Sequence, residues 1–229
     1  MRSPVYLRRM DEIVEGIRKF RRDTYPLLKP LYDRLVSTGQ KPRVLMIGCS
    51  DSRVAFETLT GRGPGELFIV RNAGNIVPRY GAYMGGVTAS VEFAVMALPI
   101  EHVIVCGHTH CGAMAALLKP ELSADMPAVQ NWVKFAREAK QRIDKAETKV
   151  FDRHLRAAIA ENVKLQLEHL ATFPCIEERM RAGKLKMHGW VYEIENGDVV
   201  EWDQTGQKWL SLTESEETKR DVSGRFGRV

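Results

Sequence analysis

Apolar residues along the chain follow two patterns, short continuous runs and helical spacing. The runs that predict strands cover residues 44–48, 67–71, 102–107, 184–194 and 198–202. Apolar runs of this length are typical of parallel strands that are buried on both faces. Apolar positions three and four residues apart predict helices over residues 85–98, 128–146 and 152–170. Strands that alternate with helices predict an α/β fold, a mostly parallel central sheet flanked by helices.

The two ends of the chain depart from this alternation. Helical spacing in residues 5–37, broken at Pro26 and Pro30, predicts two amphipathic helices with a bend, an N-terminal helical arm. Asn196-Gly197 between two apolar runs predicts a hairpin, so a C-terminal hairpin extension joins the sheet. The polar end of the chain predicts a loosely held tail. We therefore expect an arm at 1–40, one catalytic core at 41–203 and a tail at 204–229.

The overall composition is that of an ordinary globular protein, with 44% hydrophobic and 28% charged residues. It excludes a disordered, collagen-like or small disulfide-bonded chain. The longest apolar stretches, such as residues 87–100, are interrupted and shorter than the roughly 18 residues that cross a bilayer. The first residues carry charges throughout and do not resemble a secretory signal, so we expect a cytoplasmic protein without membrane partners.

The charge of the chain is a second observation that bears on partners. A net charge of +5 and a pI near 9.0 would suit a protein that binds nucleic acid. The Lys and Arg residues are, however, interleaved with Asp and Glu at helical spacing, which is typical of solvated helix faces. We therefore predict no nucleic-acid partner.

Two of the four cysteines stand in unusual settings. Cys49 ends the first predicted strand, and Cys111 follows His108 by three residues after the third. The carboxyl ends of parallel strands form the ligand-binding edge of an open sheet, so these three residues can converge. Two thiolates and one imidazole suit tetrahedral zinc, and three protein ligands leave one position open, as in catalytic sites. The sequence therefore raises a catalytic zinc site as a hypothesis.

Spacing alone leaves other interpretations open. A cysteine that closes a buried strand is usually a small core residue, and we expect Cys106 and Cys175 to be core or inert thiols. His110 competes with His108 as the imidazole ligand, and the spacing does not distinguish them.

Three motifs in register resemble the β-class carbonic anhydrases, particularly the plant and cyanobacterial branch. They are CSDSRV at 49–54, RNAGNIVP at 71–78 and GHTHCGAM at 107–114, and the resemblance extends over roughly residues 10–203. It implies one Zn²⁺ per subunit, held by Cys49, His108 and Cys111. It also implies that Asp51 and Arg53 form the acidic-basic pair of the family, and it places His110 at a variable position.

The same resemblance implies a substrate pocket. The matching positions are Gln40, Phe68, Ala73, Phe93 and Gly112. Gln40 stands where the plant-like branch hydrogen-bonds substrate, and Gly112 where a backbone N–H faces the site. Phe93 replaces a Tyr of several members and Ala73 a Val of many, so a phenol hydroxyl is missing while the apolar wall is kept.

The implied activity is that of a lyase, the reversible hydration of CO₂ to bicarbonate and a proton by zinc-bound hydroxide. Asp51 would orient this hydroxide, and Arg53 would keep Asp51 ionised. Two thiolates bring the formal charge of the centre to zero. We therefore predict a higher pKa of the bound water than in a tris-imidazole site, and activity that rises into alkaline pH.

The resemblance also bears on regulation and assembly. Met46 stands where the bicarbonate-regulated members carry a Trp, although Arg71 and Tyr192 match their other pocket residues, so we predict a constitutively open site. The arm implies a homo-oligomer, a dimer or a tetramer, in which both subunits line each pocket. Association with a carboxysome and the proton shuttle, His110 or Tyr83, are left open by the sequence.

The sequence leaves two rival functions open. Some relatives of the β class hydrolyse CS₂ or COS, and a difference in the access tunnel is not visible in a sequence. A non-catalytic zinc protein that serves as a scaffold is the other rival. The Asp51–Arg53 pair and Gln40 argue against it, because a structural zinc usually has a fourth protein ligand.

Overall fold

The structure is a computed structural model that describes residues 4–143, 150–214 and 220–226. The end of the helix predicted at 128–146 and parts of the predicted tail lie outside these ranges. By its internal contacts the chain divides into two units, Met1–Gln40 and Lys41–Val229.

The N-terminal unit is helical. Helix α1 (Pro4–Lys19) continues through a wider turn at Phe20–Thr24 into α2 (Tyr25–Thr38). Pro26 lies at the start of α2, where a missing N–H is tolerated. The two helices agree with the prediction, but the wider turn at Phe20–Thr24 precedes both of the prolines at which the bend was predicted. Large apolar side chains along this unit are exposed, namely Met10, Ile13, Val14, Ile17, Phe20, Leu27 and Val36.

The second unit is built on a six-stranded sheet with the order β2-β1-β3-β4-β5-β6. The strands are β1 (Val44–Cys49), β2 (Leu67–Asn72), β3 (His102–His108), β4 (Lys186–Glu193), β5 (Asp198–Asp203) and β6 (Lys208–Ser211). The first four strands are parallel. Strand β5 pairs antiparallel with β4, and β6 pairs antiparallel with β5. The predicted fold class is thus confirmed, whereas β6 was not predicted.

Helices connect and cover the strands. They are α3 (Phe56–Thr60), α4 (Gly86–Ala97), α5 (Gly112–Leu118), α6 (Pro127–Val133), α7 (Arg137–Ile143), α8 (Phe151–Leu170) and α9 (Pro174–Arg181). The single helix predicted from residue 128 is divided, because a 3₁₀ turn at Lys134–Ala136 separates α6 from α7. None of the described helices combines the length and the apolar character that crossing a bilayer requires.

The larger part of the core lies between the sheet and α8. A Cβ atom added to Gly107 or Gly189 would lie 2.9 Å from Val163, so these glycines let α8 approach the strands closely. The opposite face of the sheet carries a smaller apolar cluster around Met46, Phe56 and Ile104. A groove of about 710 Å³ opens on that face, lined by apolar residues and by Lys41, Arg43 and Arg62.

The C-terminal segment packs against the core. Strand β6 completes the sheet, and Phe226 is 2% exposed with its ring 5.1 Å from that of Trp209. The expectation of a loosely held tail is therefore wrong for residues 208–211 and 220–226. Long-range burial of a few apolar residues outweighs the polar composition of the segment.

Candidate metal centre

The carboxyl ends of two adjacent parallel strands bring three candidate ligands together. Cys49 ends β1, His108 ends β3, and Cys111 immediately precedes α5. Their ligand atoms all lie within 4.8 Å of one another, and the three residues are 6%, 0% and 1% exposed. The topology of the sheet thus produces a compact, buried Cys-His-Cys cluster.

The imidazole of His108 is in the tautomer that can bind a metal ion through Nε2. Its Nδ1 lies 2.8 Å from the carbonyl oxygen of Thr109, which can only accept, so Nδ1 carries the proton and Nε2 keeps its lone pair. Among the described residues, buried Nε2 has no hydrogen-bond partner. An orphaned nitrogen beside two sulfur atoms fits a soft to borderline metal ion, and the donor set is that of zinc.

The two thiols are coupled to each other. A hydrogen bond from Cys111 lowers the pKa of Cys49 to about 4, and the Gly74 N–H also donates to this sulfur at 3.4 Å. The same pairing, together with burial, raises the pKa of Cys111 well above its ordinary value. The protein alone therefore keeps one proton on the pair. Two buried thiolates side by side require a cation between them, which a zinc ion supplies.

Asp51 and Arg53 form a charged pair at the edge of the cluster. Arg53 donates through Nε and Nη2 to the two carboxylate oxygens at 2.9 and 2.8 Å, and its backbone N–H adds a bond of 3.0 Å. These hydrogen bonds hold the pKa of Asp51 well below its ordinary value. Oδ2 of Asp51 lies 3.9 Å from Nε2 of His108. An ionised acceptor thus borders the cluster.

Arg71 braces the loop that follows β1. It donates to the carbonyl oxygens of Cys49 at 3.0 Å and of Asp51 at 2.8 Å. Its guanidinium lies 5.8 Å from the ring centroid of Phe56. Its Nε and Nη2 groups therefore each donate to this chain's own backbone.

The predicted substrate residues lie in different surroundings. The rings of Phe68 and Phe93 are 6.0 Å apart, and Phe93 on α4 is 51% exposed. Ala73 directly follows β2, and its carbonyl accepts a hydrogen bond of 2.8 Å from Trp132. Gly112 is the exposed first residue of α5. Gln40 belongs to the N-terminal unit, so its role stays a prediction.

His110 and Tyr83 are the two residues considered for proton transfer, and neither is among the three clustered ligand residues. His110 adopts a left-handed φ of 59°, its ring is exposed, and its Nε2 is 3.8 Å from Glu195. The close group of ligand atoms contains His108 instead. The ring of Tyr83 packs edge-on against that of Trp132 at 6.0 Å.

Sequence reasoning missed two sets of residues that hold the site. Thr109 donates to Glu195 at 2.6 Å and accepts from the Ile194 N–H at 3.0 Å, which fixes the loop between His108 and Cys111. Buried polar residues of α8 contact the loop after β2. The spacing of apolar residues predicts this helix but does not tell which of its polar residues meet a buried loop, so the sequence carried no distinguishing signal.

Comparison with known proteins places this geometry in a family. The family model described as carbonic anhydrase matches residues 44–199. A carbonic anhydrase of Pseudomonas aeruginosa is 43% identical over 96% of this chain and 99% of its own length. One of Synechococcus elongatus is 44% identical over 90% of this chain and 76% of its own.

A solved structure described as the β-carbonic anhydrase CcaA superposes with a TM-score of 0.85 at 42% identity, covering 91% of this chain and 93% of that one. The fold, the Cys-His-Cys cluster and the extent of these similarities all indicate the same family. The chain belongs to the β-class carbonic anhydrases, zinc enzymes that interconvert carbon dioxide and bicarbonate.

Proposed function

We propose that Cys49, His108 and Cys111 hold the zinc ion at which this chain hydrates CO₂, and that Asp51 and Arg53 assist the reaction. The observation that carries the proposal is the buried cluster itself, in which the unpaired Nε2 of His108 lies among two thiols. When bound, zinc lowers the pKa of a coordinated water from 15.7 towards neutrality and so supplies a nucleophile.

Asp51 orients the nucleophile in this proposal. Its carboxylate borders the cluster and stays ionised at neutral pH, because Arg53 donates to both oxygens. An ionised carboxylate can only accept, so it takes the hydrogen bond of the attacking oxygen and leaves a lone pair free to face carbon. The bidentate contact also restrains Asp51 from turning to the metal, which favours an open site.

Substrate binding relies on apolar surface rather than on charge. CO₂ is apolar and linear, and the wall formed by Phe68 and Phe93 suits it. We assign Ala73 and Gly112 to the same pocket by their positions in the family motifs, and Gln40 keeps the substrate-binding role that its position in the family implies. The proton released by the reaction leaves towards the exposed side of the centre, where His110 is solvated.

The bicarbonate-dependent regulation of some relatives is absent from this proposal. Arg71 donates hydrogen bonds to the carbonyl oxygens of Cys49 and Asp51. Met46 is buried where a Trp would be required. An anion that took these two donors would have to displace both hydrogen bonds. Initial rates should therefore rise hyperbolically with bicarbonate.

Assembly as a homo-oligomer is supported by the exposed apolar surfaces of the single chain. Ile13, Ile17 and Phe20 form a stripe on the N-terminal unit, and the second unit carries the apolar groove beside Met46. Surfaces of this kind usually mark interfaces. We propose a dimer or a tetramer formed through the arm, with the arm (1–40), core (41–203) and tail (204–229) acting as one functional domain.

A cytoplasmic location completes the proposal. All four cysteines are free, and the two in the cluster must stay reduced to bind metal. Association with a carboxysome has no structural feature in its favour among the described residues.

The decisive experiment is stopped-flow CO₂ hydration with zinc-loaded protein. Cys49→Ala should abolish turnover and zinc binding, whereas Cys106→Ala, a buried cysteine on the neighbouring strand, should keep both. Asp51→Asn should keep one zinc per chain and lose about 10²-fold or more in kcat. Full turnover by Cys49→Ala would refute the ligand assignment, and unchanged kcat in Asp51→Asn would refute its catalytic role.

A further inference from the structure

Besides Glu161, helix α8 buries three polar side chains that the catalytic proposal does not use. Asn162, Gln166 and His169 are 1%, 0% and 3% exposed, and their spacing places them on one face of the helix. Burying an amide without partners costs free energy, so such groups require specific acceptors and donors. Their partners therefore show what the helix holds in place.

All three side chains contact one loop, residues 73–77 after β2. Nδ2 of Asn162 donates to the carbonyl oxygen of Gly74 at 3.0 Å. Oε1 of Gln166 accepts from the Val77 N–H at 2.8 Å, and His169 Nδ1 lies 2.7 Å from the Val77 carbonyl oxygen. Nε2 of Gln166 donates to Oδ1 of Asn162 at 2.8 Å, which fixes the orientation of both amides. We call Asn162 and Gln166 the α8 amide pair.

The held loop reaches a candidate zinc ligand through its backbone. The Gly74 N–H donates to Sγ of Cys49 at 3.4 Å. Gly74 has a φ of +80°, and a Cβ there would lie 2.9 Å from Cβ of Ala113. The left-handed backbone and the close packing both require glycine. The peptide that serves Cys49 is therefore clamped between α5 and the α8 amide pair.

An N–H donor withdraws electron density from a thiolate. A sulfur that donates less charge leaves the bound metal a stronger Lewis acid, and hydrogen bonds of this kind orient ligands and tune metals generally. In a centre with two thiolates, where charge donation already weakens the metal as an acid, this effect works in favour of catalysis.

We propose that Asn162 and Gln166 are positioning residues for the metal centre, which hold the Gly74 peptide so that it donates to Cys49. This inference rests on the proposed role of Cys49 as a zinc ligand. The α8 amide pair acts through the loop and touches neither metal nor substrate.

The test compares Asn162→Ala with Leu165→Ala in the full-length protein. Leu165 is a fully buried apolar residue of the same helix, so its truncation destabilises α8 without removing a hydrogen bond to the loop. Each protein is prepared with zinc and with cobalt(II). The measurements are the thiolate-to-cobalt charge-transfer band, the rate of metal loss to a chelator, the pH profile of CO₂ hydration and the melting temperature.

Asn162→Ala should shift the charge-transfer band, speed metal loss about tenfold or more, and move the pH midpoint upward by about half a unit or more. Leu165→Ala should lower the melting temperature and leave these three readouts at wild-type values. If Asn162→Ala does not fold, Asn162→Ser, which keeps a small polar group, takes its place in the same comparison.

Two contrary outcomes are distinguishable. A lower melting temperature with an unchanged band, metal loss and pH midpoint in Asn162→Ala would reduce the amide pair to a purely structural role and overturn the inference. Absence of a thiolate-to-cobalt band in the wild-type protein would instead refute Cys49 and Cys111 as ligands, and with them the proposed function.

Discussion

Arg225, in the last described turn of the chain, donates to the buried carboxylate of Glu193 at 2.6 Å. Glu193 ends β4 and is 2% exposed, and it also accepts from Arg156 at 3.0 Å. Arg225 contacts Asp198 at 2.6 Å as well. The C-terminal segment is therefore fastened to the sheet by charge as well as by the burial of Phe226.

Removal of Arg225 should destabilise the protein more than removal of an exposed arginine. Arg225→Ala leaves a buried carboxylate with fewer donors, and the loss should be about 1–3 kcal/mol of the free energy of unfolding. Arg181→Ala breaks an exposed pair with Glu177 on α9 and should cost about 0.5 kcal/mol or less. Urea denaturation of both variants measures the difference. Equal losses in the free energy of unfolding would show that the buried pair stabilises the protein no more than the exposed one.

The charged cluster around Glu193 continues to the loop between His108 and Cys111, which we call the ligand loop. Arg156 also pairs with Glu195, which accepts from the Thr109 hydroxyl at 2.6 Å. Thr109→Val keeps the shape of the side chain but leaves Glu195 and the Ile194 N–H without this partner. We expect metal affinity to fall about tenfold or more, because the loop that presents His108 loses its anchor.

A competition assay with a chromophoric chelator measures this loss. Thr60→Val is the matched control, since the Thr60 hydroxyl donates only to the carbonyl oxygen of Phe56 within α3. Wild-type affinity in Thr109→Val would mean that the backbone alone holds the ligand loop.

The ligand cluster was predictable because local signals and topology agree there. Cys49 and His108 each follow a run of apolar residues, and parallel strands must end at a common edge. The distinction between His108 and His110 was not available from spacing. It depends on the three-dimensional arrangement, in which the buried ring of His108 lies among the ligand atoms and the ring of His110 is exposed.

The supporting residues were not predictable for a physical reason. Helical periodicity separates apolar from polar faces, but it does not tell whether a polar face meets water or a buried loop. Asn162 and Gln166 thus look like surface positions in the sequence. Arg225 and Phe226 were missed because their partners lie on strands far away in the chain, and a short polar segment carries no mark of such contacts.

Acidification should weaken folding through His169. Burial lowers the pKa of this histidine, and its Nδ1 faces the Val77 carbonyl while its buried Nε2 has no partner among the described residues. The unfolded chain, with a histidine pKa of about 6.5, then binds a proton more readily than the folded one. Stability is thus retained above this pH and falls as the pH drops below it, by at most about 1.4 kcal/mol per pH unit for one group.

Urea denaturation between pH 7.5 and pH 5 tests this expectation with His169→Gln, whose amide N–H can replace Nδ1 as donor to Val77. The variant should show a smaller loss of stability on acidification than the wild type. Leu165→Ala, at a buried apolar position of the same helix that cannot titrate, serves as the control and should keep the wild-type slope. Identical slopes in all three proteins would assign the acid sensitivity to other groups.

The exposed stripe on α1 should control assembly. Ile13 and Ile17 are 56% and 62% exposed in the single chain and lie one helical turn apart. If they are buried between subunits, Ile13→Ser or Ile17→Ser removes apolar surface from the interface and weakens association about tenfold or more. Gly16→Ser introduces the same side chain at an open position of the same helix and should leave the assembly intact. Sedimentation velocity over a range of protein concentrations measures the shift to smaller species. An unchanged distribution in both isoleucine variants would exclude this stripe from the interface.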